Sequence, residues 1–521
     1  MNKHYHALNV KGYPNYTTLT KTSPLDKVPA QRHSNIYHKD YSDAMLRPLN
    51  LVIRRCYSSI TQFSPPPPSK GFLQIPNKSI ISVQGQESTK FLNGLLTAKL
   101  IPNSVKKLTM TISTEEKDQS LFLDQFNIGD VNWGLLKEGK EDGNQTITRN
   151  GVYSMFLNSK GRIITDNYIY PVEYSPETIE GTEPKYFIEI DDSMTKQLMM
   201  TLKLHKLKAK ISLGLEPKEN YKIWYFYNDS KQDFIYELKE QYFNEDSQDL
   251  KNPQATLDRT NDFLQNDQFW NPDLDKNSIL GFAFDDRCPE FGIKLITTSN
   301  INSIDEILSP ELLEDSQEIT NEQLSIRRSL YGIPEGKTDF PPNQLLPLEC
   351  NLELMDGVNF DKGCYVGQEL TVRTFHTGII RKRVVPVRLF LLNDQKELED
   401  YPVYDPQDPV CQVLKDINNV DIISDKQASS PKPTGASPFG PPSTASSSPF
   451  GSSGKKKATR KSTSGTLLSV NGNVGLALVR LEDFSNPNLN FSIEIPGAGE
   501  DNNTLKVGLK GFIPYWWPED L

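Results

Sequence analysis

Residues 425–465 constrain how this chain can fold more than any other stretch. They are dominated by Ser, Pro, Gly and Lys, and carry the near-repeats Ser437-Pro438-Phe439-Gly440 and Ser448-Pro449-Phe450-Gly451. So little apolar side chain cannot offset the entropy of ordering the backbone, which predicts disorder. Lys455, Lys456, Lys457, Arg460 and Lys461 make the segment basic; a solvated insertion accounts for that charge better than a nucleic-acid tail. Strand-like sequence stands on both sides, over 384–392 and 467–481. The C-terminal part, 384–521, therefore reads as a small all-β domain interrupted by this insert.

Upstream, alternation predicts short strands over 72–76 and 79–83. Ser88 is placed to cap a helix whose apolar face carries Phe91, Leu92, Leu95 and Leu96. Residues 151–157 read as a strand, joined by the turn Ser159-Lys160-Gly161 to a hairpin partner over 163–170. A helix is predicted over 192–204, with Met194, Leu198 and Leu202 along one face. Two polar stretches, about 103–150 and 236–276, read as insertions, the second on the surface. The run Pro65-Pro66-Pro67-Pro68, within a linker over 58–70, predicts a stiff spacer before a body spanning 71–383.

A chain of 521 residues has room for two or three domains at roughly 150 residues each. No apolar run approaches the ~20 residues of a membrane-spanning helix. Residues 45–57, Met-Leu-Arg-Pro-Leu-Asn-Leu-Val-Ile-Arg-Arg-Cys-Tyr, hold three arginines and no acid, the composition of a mitochondrial transit peptide. Residues 1–44 lack that pattern, so Met45 is the expected working start and the matrix the expected location. Without residues 1–57 the chain carries 48 basic and 64 acidic side chains, a formal charge of −16. That field disfavours nucleic acid as a bulk partner. Cys56, Cys288, Cys350, Cys364 and Cys411 are dispersed, with no C-x-x-C pair, which argues for a reducing compartment. Dispersed cysteines and two remaining histidines, His205 and His376, also argue against a closed intrachain zinc or cluster site.

The chemistry concentrates in Asp361-Lys362-Gly363-Cys364-Tyr365-Val366-Gly367-Gln368-Glu369. Gly363 and Gly367 permit a tight backbone path around one side chain, and a thiol acts only as a thiolate, whose charge a cation such as Lys362 would ease. Isolated cysteines are mostly small buried hydrophobes; glycines and charges on both sides favour the reactive reading. Cys364 and His376 invite a thiol–imidazole pair, but no third group to orient it is evident. Residues 373–378 read as a polar strand end leading into the basic turn Arg381-Lys382-Arg383.

Lys362-Gly363-Cys364-Tyr365-Val366-Gly367-Gln368-Glu369 resembles the signature of the mitochondrial iron–sulfur cluster assembly factors within the folate-binding superfamily of the glycine-cleavage T-protein, an aminomethyltransferase. Weaker blocks resemble the same family: Gly85-Gln86-Glu87 with 91–97, Phe156-Leu157-Asn158-Ser159-Lys160-Gly161-Arg162 with Asp166, Asp286-Arg287-Cys288-Pro289 with Gly292, Arg328 with 332–336, and Leu346-Pro347-Leu348-Glu349. The resemblance implies an α+β fold of three subdomains around a central folate-sized opening, the last a β-barrel. It implies a matrix factor for late maturation of [4Fe–4S] proteins, with aconitase-type enzymes and radical-SAM enzymes such as lipoyl and biotin synthases as clients. A-type scaffold proteins are the implied partners, and Cys364 the implied ligand of a transient cluster shared with one. Tetrahydrofolate is the implied cofactor, with Asp166, Arg328 and Glu349 around it, a carboxylate suiting its pterin edge and a cation its glutamate tail. Thr165 stands where the aminomethyltransferase has a second acid, which argues against aminomethyl transfer and makes enzymatic activity doubtful. The competing readings are a folate-dependent one-carbon transferase and a folate-linked tRNA-modification protein.

Overall fold

Strand alternation with both faces buried builds the body. The computed structural model describes residues 63–101, 131–138, 145–177, 179, 181–243, 252–392, 398–415, 417–425, 463–498 and 503–518. The transit-peptide region, much of the 103–150 stretch and most of the 425–465 insert lie outside the described residues. One five-stranded sheet runs in the order β10 (Ile279–Asp285), β11 (Gly292–Thr298), β9 (Tyr221–Asn228), β1 (Lys70–Gln74) and β12 (Gln317–Glu318). The other runs β5 (Val152–Leu157), β6 (Ile163–Pro171), β7 (Lys185–Asp191), β2 (Lys78–Gln84) and β8 (Ser212–Leu215). Along β9, Tyr221, Ile223, Tyr225 and Tyr227 enter the core shared by the two sheets. Trp224 and Phe226 point to the opposite face, into a second core. The period of two thus serves two apolar layers at once.

Helices cover the outer faces. Helix Thr195–Lys206, entered through one 3-10 turn at Asp192–Met194, buries Met194, Leu198 and Leu202 against the second sheet as its spacing predicts. Helix Ser88–Asn93 packs Leu92 into the same core and ends before Leu95 and Leu96. Ser88 does not cap it: its hydroxyl donates to the Pro184 carbonyl, and Glu87 holds the N-cap position. The stretch 236–276 is a correction. Instead of a surface insertion it contributes helices Gln232–Phe243 and Pro253–Leu264 and the aromatic centre of the first sheet's outer core. Phe263 lies 5.1 Å from Phe269 and 5.3 Å from the fully buried Trp270. Part of the 103–150 stretch is also ordered, as the hairpin β3 (Leu135–Glu138) and β4 (Gln145–Thr148).

The C-terminal domain is a closed six-stranded barrel, in the order β13 (Lys382–Leu391), β16 (Val474–Arg480), β15 (Thr463–Asn471), β14 (Val420–Ser424), β17 (Phe491–Ile495) and β18 (Leu505–Gly511), closing back onto β13. Closure removes exposed sheet edges. Val384, Leu468, Leu476 and Leu478 join the core between the two sheets, while Val385, Val387, Ala477 and Ile493 fill the barrel. Residues 64–68 do not stand free as a spacer. The Tyr404, Gln323 and Tyr227 side chains donate to the carbonyls of Ser64, Pro66 and Pro68. Among the described residues no helix is long and apolar enough to cross a membrane.

Candidate functional site

The signature run is a loop held from three sides. Lys362 extends its ammonium into the turn after helix Ser88–Asn93 and donates to the carbonyls of Asn93 (2.8 Å), Leu96 (2.6 Å) and Ala98 (2.7 Å). These are groups that a helix end and the turn after it leave without partners. The same ammonium lies 4.6 Å from the Tyr365 ring centre, a cation–π distance. Burial, with Lys99 beside it, pushes the ammonium down to about 7, a pull that three carbonyl acceptors oppose. The cation expected to serve the thiol is thus committed to the backbone of another element. Two further bonds tie the loop to that turn, Val366 N–H to Gly94 and Asn359 N–H to Thr97.

Gly367 shows why the sequence needs a glycine there. Its φ is +80°, and a Cβ would come 2.4 Å from the Asn158 carbonyl oxygen and 3.0 Å from the Leu157 side chain. Gly161, at φ +75°, presses on Gly367 from the β5–β6 turn. Three of the family-like blocks, 91–97, 156–162 and 362–369, therefore meet around one loop. Gly363 is a correction: its φ lies outside the left-handed region and a Cβ would meet nothing within 4 Å. After Gly367 the chain enters helix Gln368–Thr377, closed by Gly378 at φ +64°. The expected strand end over 373–378 is helical. Gln368 helps start this helix, its side-chain oxygen accepting from the Tyr365 N–H.

Cys364 sits exposed in this loop, followed by the buried Tyr365, with Glu369 exposed in the helix's first turn. The other described cysteines, Cys288, Cys350 and Cys411, are buried. Burial pushes Cys288 and Cys411 up to about 12 and Cys350 well above the usual thiol range, so they stay neutral. On the same surface Phe360 stacks on Phe375, ring centres 3.5 Å apart at 10°, and Phe375 and Ile379 are 43% and 60% exposed. His376 is exposed at the helix end against Phe375. Among the described residues no group of three or more His, Cys, Asp or Glu side chains is placed to hold a metal ion. One accessible thiolate can give one ligand to an iron–sulfur cluster, the rest coming from elsewhere.

The other family-like blocks meet between the two sheets. Glu335 bridges Lys78 (2.8 Å) and Arg287 (2.7 Å), and Arg287 pairs in turn with Asp285 (2.7 Å). Lys294 of β11 meets Glu189 of β7 at 2.6 Å. Tyr168 and Tyr225 donate to Asp285, and Tyr170 to Glu189. Asp166 is buried and accepts from the Gly336 N–H at 3.2 Å. Burial raises its carboxyl above the usual range; Lys78 opposes that and Glu335 reinforces it.

Of the three residues expected around a folate, Asp166 and Arg328 both neighbour the Glu335–Gly336 turn, while Glu349 is turned elsewhere. A cavity of about 200 Å³ opens where both sheets and the barrel meet, lined by Lys78, Asp191, Arg328, Glu335, Asp339 and Ser469 among others. Arg328 belongs to that wall and donates to Ser325. Glu349 is not among its lining residues: it turns back to accept from the Leu346 N–H, near Lys382 and Arg162, and burial raises its carboxyl. The sequence reading passed over Lys78, Glu189, Asp285 and Lys294. Their signal was a lone charge inside an apolar strand, which is seldom buried unless paired.

Comparison with known proteins adds a second line of observation. Residues 381–519 match the C-terminal β-barrel domain of CAF17. The mitochondrial iron–sulfur cluster assembly factor IBA57 homologue of Debaryomyces hansenii is 38% identical over 465 residues, covering 85% of this chain and 98% of the relative. That of Scheffersomyces stipitis is 34% identical over 481 residues, covering 87% and 98%. That of Candida albicans is 37% identical over 482 residues, covering 87% and 99%. A solved structure, the glycine cleavage system aminomethyltransferase T of Bartonella henselae, overlays with a TM-score of 0.43 at 9% identity, covering 85% of each chain.

Proposed function

The chain belongs to the family of mitochondrial iron–sulfur cluster assembly factors that includes IBA57, and from that premise we propose that it works through Cys364 in the late maturation of [4Fe–4S] proteins. It acts in the mitochondrial matrix beside A-type scaffold proteins, and its clients are aconitase-type and radical-SAM enzymes. The observation that carries this reading is an exposed thiol on a loop stapled to two other family-like blocks. A cluster passed between proteins needs a thiolate that a partner can reach, presented without large rearrangement. The loop supplies reach at Cys364 and rigidity at Lys362 and Gly367. A single thiol cannot hold a cluster alone, so the partner's own ligands complete it while Cys364 contributes one.

The test is spectroscopic. The purified chain is mixed with a cluster-loaded A-type scaffold, wild type against Cys364→Ala, and absorption and circular dichroism are recorded. Wild type changes the cluster's spectrum, and Cys364→Ala leaves it as in the scaffold alone while keeping its own fold. Equal changes from both proteins reject the thiol as a ligand. In cells, aconitase activity and lipoylation fall with the variant; unchanged levels reject the maturation role.

A further inference from the structure

A pterin presents a row of N–H donors, which a carboxylate with unused acceptor capacity meets best. The carboxylates between the two sheets are already engaged. Asp285 accepts from Arg287, Tyr168 and Tyr225. Glu335 lies between Lys78 and Arg287, and Glu189 between Lys294 and Tyr170. Asp166 is the least engaged, accepting only from the Gly336 N–H, yet it is 3% exposed and is not among the residues that line the cavity. The remaining cavity, about 200 Å³, lies below the ~300–1,000 Å³ that sites for drug-sized ligands span. Its wall includes the paired Lys78 and Glu335, whose side chains are 9% exposed or less, and a buried ion left without its partner is strongly destabilising.

We infer that the centre of this molecule holds no folate, and that the pairs Lys78–Glu335–Arg287–Asp285 and Lys294–Glu189 close the space instead, bridging one sheet to the other. The bridging follows from where the partners stand. Lys294 is on β11 of the first sheet and Glu189 on β7 of the second; Asp285 ends β10 of the first and takes the Tyr168 hydroxyl from β6 of the second. The aromatic rings add to it, Arg287 lying 5.1 Å from the Tyr153 ring centre and Lys294 4.5 Å from that of Tyr168. A family-like frame is thus kept while its opening is filled by side chains. The inference is independent of Cys364 and stands or falls apart from cluster transfer.

The experiment uses the full chain and tetrahydrofolate under reducing conditions, followed by calorimetric titration and by thermal melting. No heat of binding and no shift in melting temperature are expected. Saturable, stoichiometric heat, or a melting temperature that climbs with ligand, overturns the inference. A second arm tests the bridge. Lys294→Met lowers the melting temperature, and adding Glu189→Leu recovers most of the loss; a single variant that melts like wild type overturns the structural role given to the pair.

Discussion

Gly161 and Gly367 meet backbone to backbone, close enough that a Cβ on Gly161 would lie 2.9 Å from the Gly367 carbonyl oxygen. One glycine closes the β5–β6 turn and the other opens the helix that follows Cys364. The contact locks the thiol loop to the second sheet without involving any side chain at either position.

Substitution should separate the two glycines of the signature. Gly367→Ala forces φ +80° on a residue with a Cβ and drives that Cβ into the Asn158 carbonyl. The strained backbone alone is worth about 1–3 kcal/mol, and the clash adds to it. Gly363→Ala meets nothing and should be neutral. Urea unfolding of the two variants checks this; equal stabilities would remove the argument for the close approach.

Lys362→Met tests the anchor. The methionine fills space but donates nothing to the Asn93, Leu96 and Ala98 carbonyls that Lys362 satisfies. A loss of about 1–3 kcal/mol is expected, the range for leaving buried acceptors unpaired. Hydrogen exchange should rise at the Val366 and Asn359 amides, which bond the same turn. Unchanged exchange there would mean the loop is held without the ammonium.

The buried pair Lys294–Glu189, both side chains 1% exposed, should behave asymmetrically. Lys294→Met leaves a carboxylate without its cation and is expected to cost about 3–5 kcal/mol, whereas Lys294→Met with Glu189→Leu recovers most of that loss. Tyr170 also donates to Glu189, so the double variant retains a smaller penalty for that hydroxyl. Denaturant unfolding of the single and double variants gives the comparison.

How much of this was legible in the sequence depended on how local the cause was. The β5–β6 hairpin followed from two strand-like runs joined by the turn Ser159-Lys160-Gly161, and helix Thr195–Lys206 from the spacing of Met194, Leu198 and Leu202. Helix Gln368–Thr377 was missed because it buries only Thr371, and Thr371, Val372, Thr374 and Thr377 favour strands. Two left-handed glycines, Gly367 and Gly378, bound it instead. The aromatic core around Phe263 and Trp270 was hidden by the polar average of the residues around it. Glu189 and Lys294 lie far apart in the chain, so only the fold could show that each pays for the other's burial. Cys364 was the readable part of the candidate site, since its own neighbours set its exposure; the partners of Lys362 come from another block.

Acid should weaken the centre through Glu335. Burial would raise its carboxyl, but Lys78, then Arg328, Arg287 and Lys294, hold it well below the ordinary 4.5. A folded-state value below the unfolded one means the unfolded chain binds more protons, so this group's contribution is present above pH 4.5 and is lost as pH falls further. Glu335→Gln should therefore lower stability at neutral pH and flatten the decline on acidification below about pH 4.5. Parallel stability–pH curves for variant and wild type would show that Glu335 does not carry the effect.

The barrel sets the limits of a clean deletion. The ladder between β14 and β15 pairs Ile422 with Gly465 and Ile423 with Thr463, so Thr463, Ser464 and Gly465 belong to the folded domain. Removing residues 426–462 and joining the strands by a four-residue turn keeps that ladder. Shortening the connection about ninefold removes roughly 2 kcal/mol of closure entropy, so the variant should melt at or above the wild-type temperature. Removing 425–465 takes Thr463, Ser464 and Gly465 as well, breaking the ladder pairs at Thr463 and Gly465, and that variant should lose stability. Melting curves of the two deletions, read beside cluster transfer from the scaffold, test the boundary: equal destabilisation would place part of 426–462 in the folded barrel.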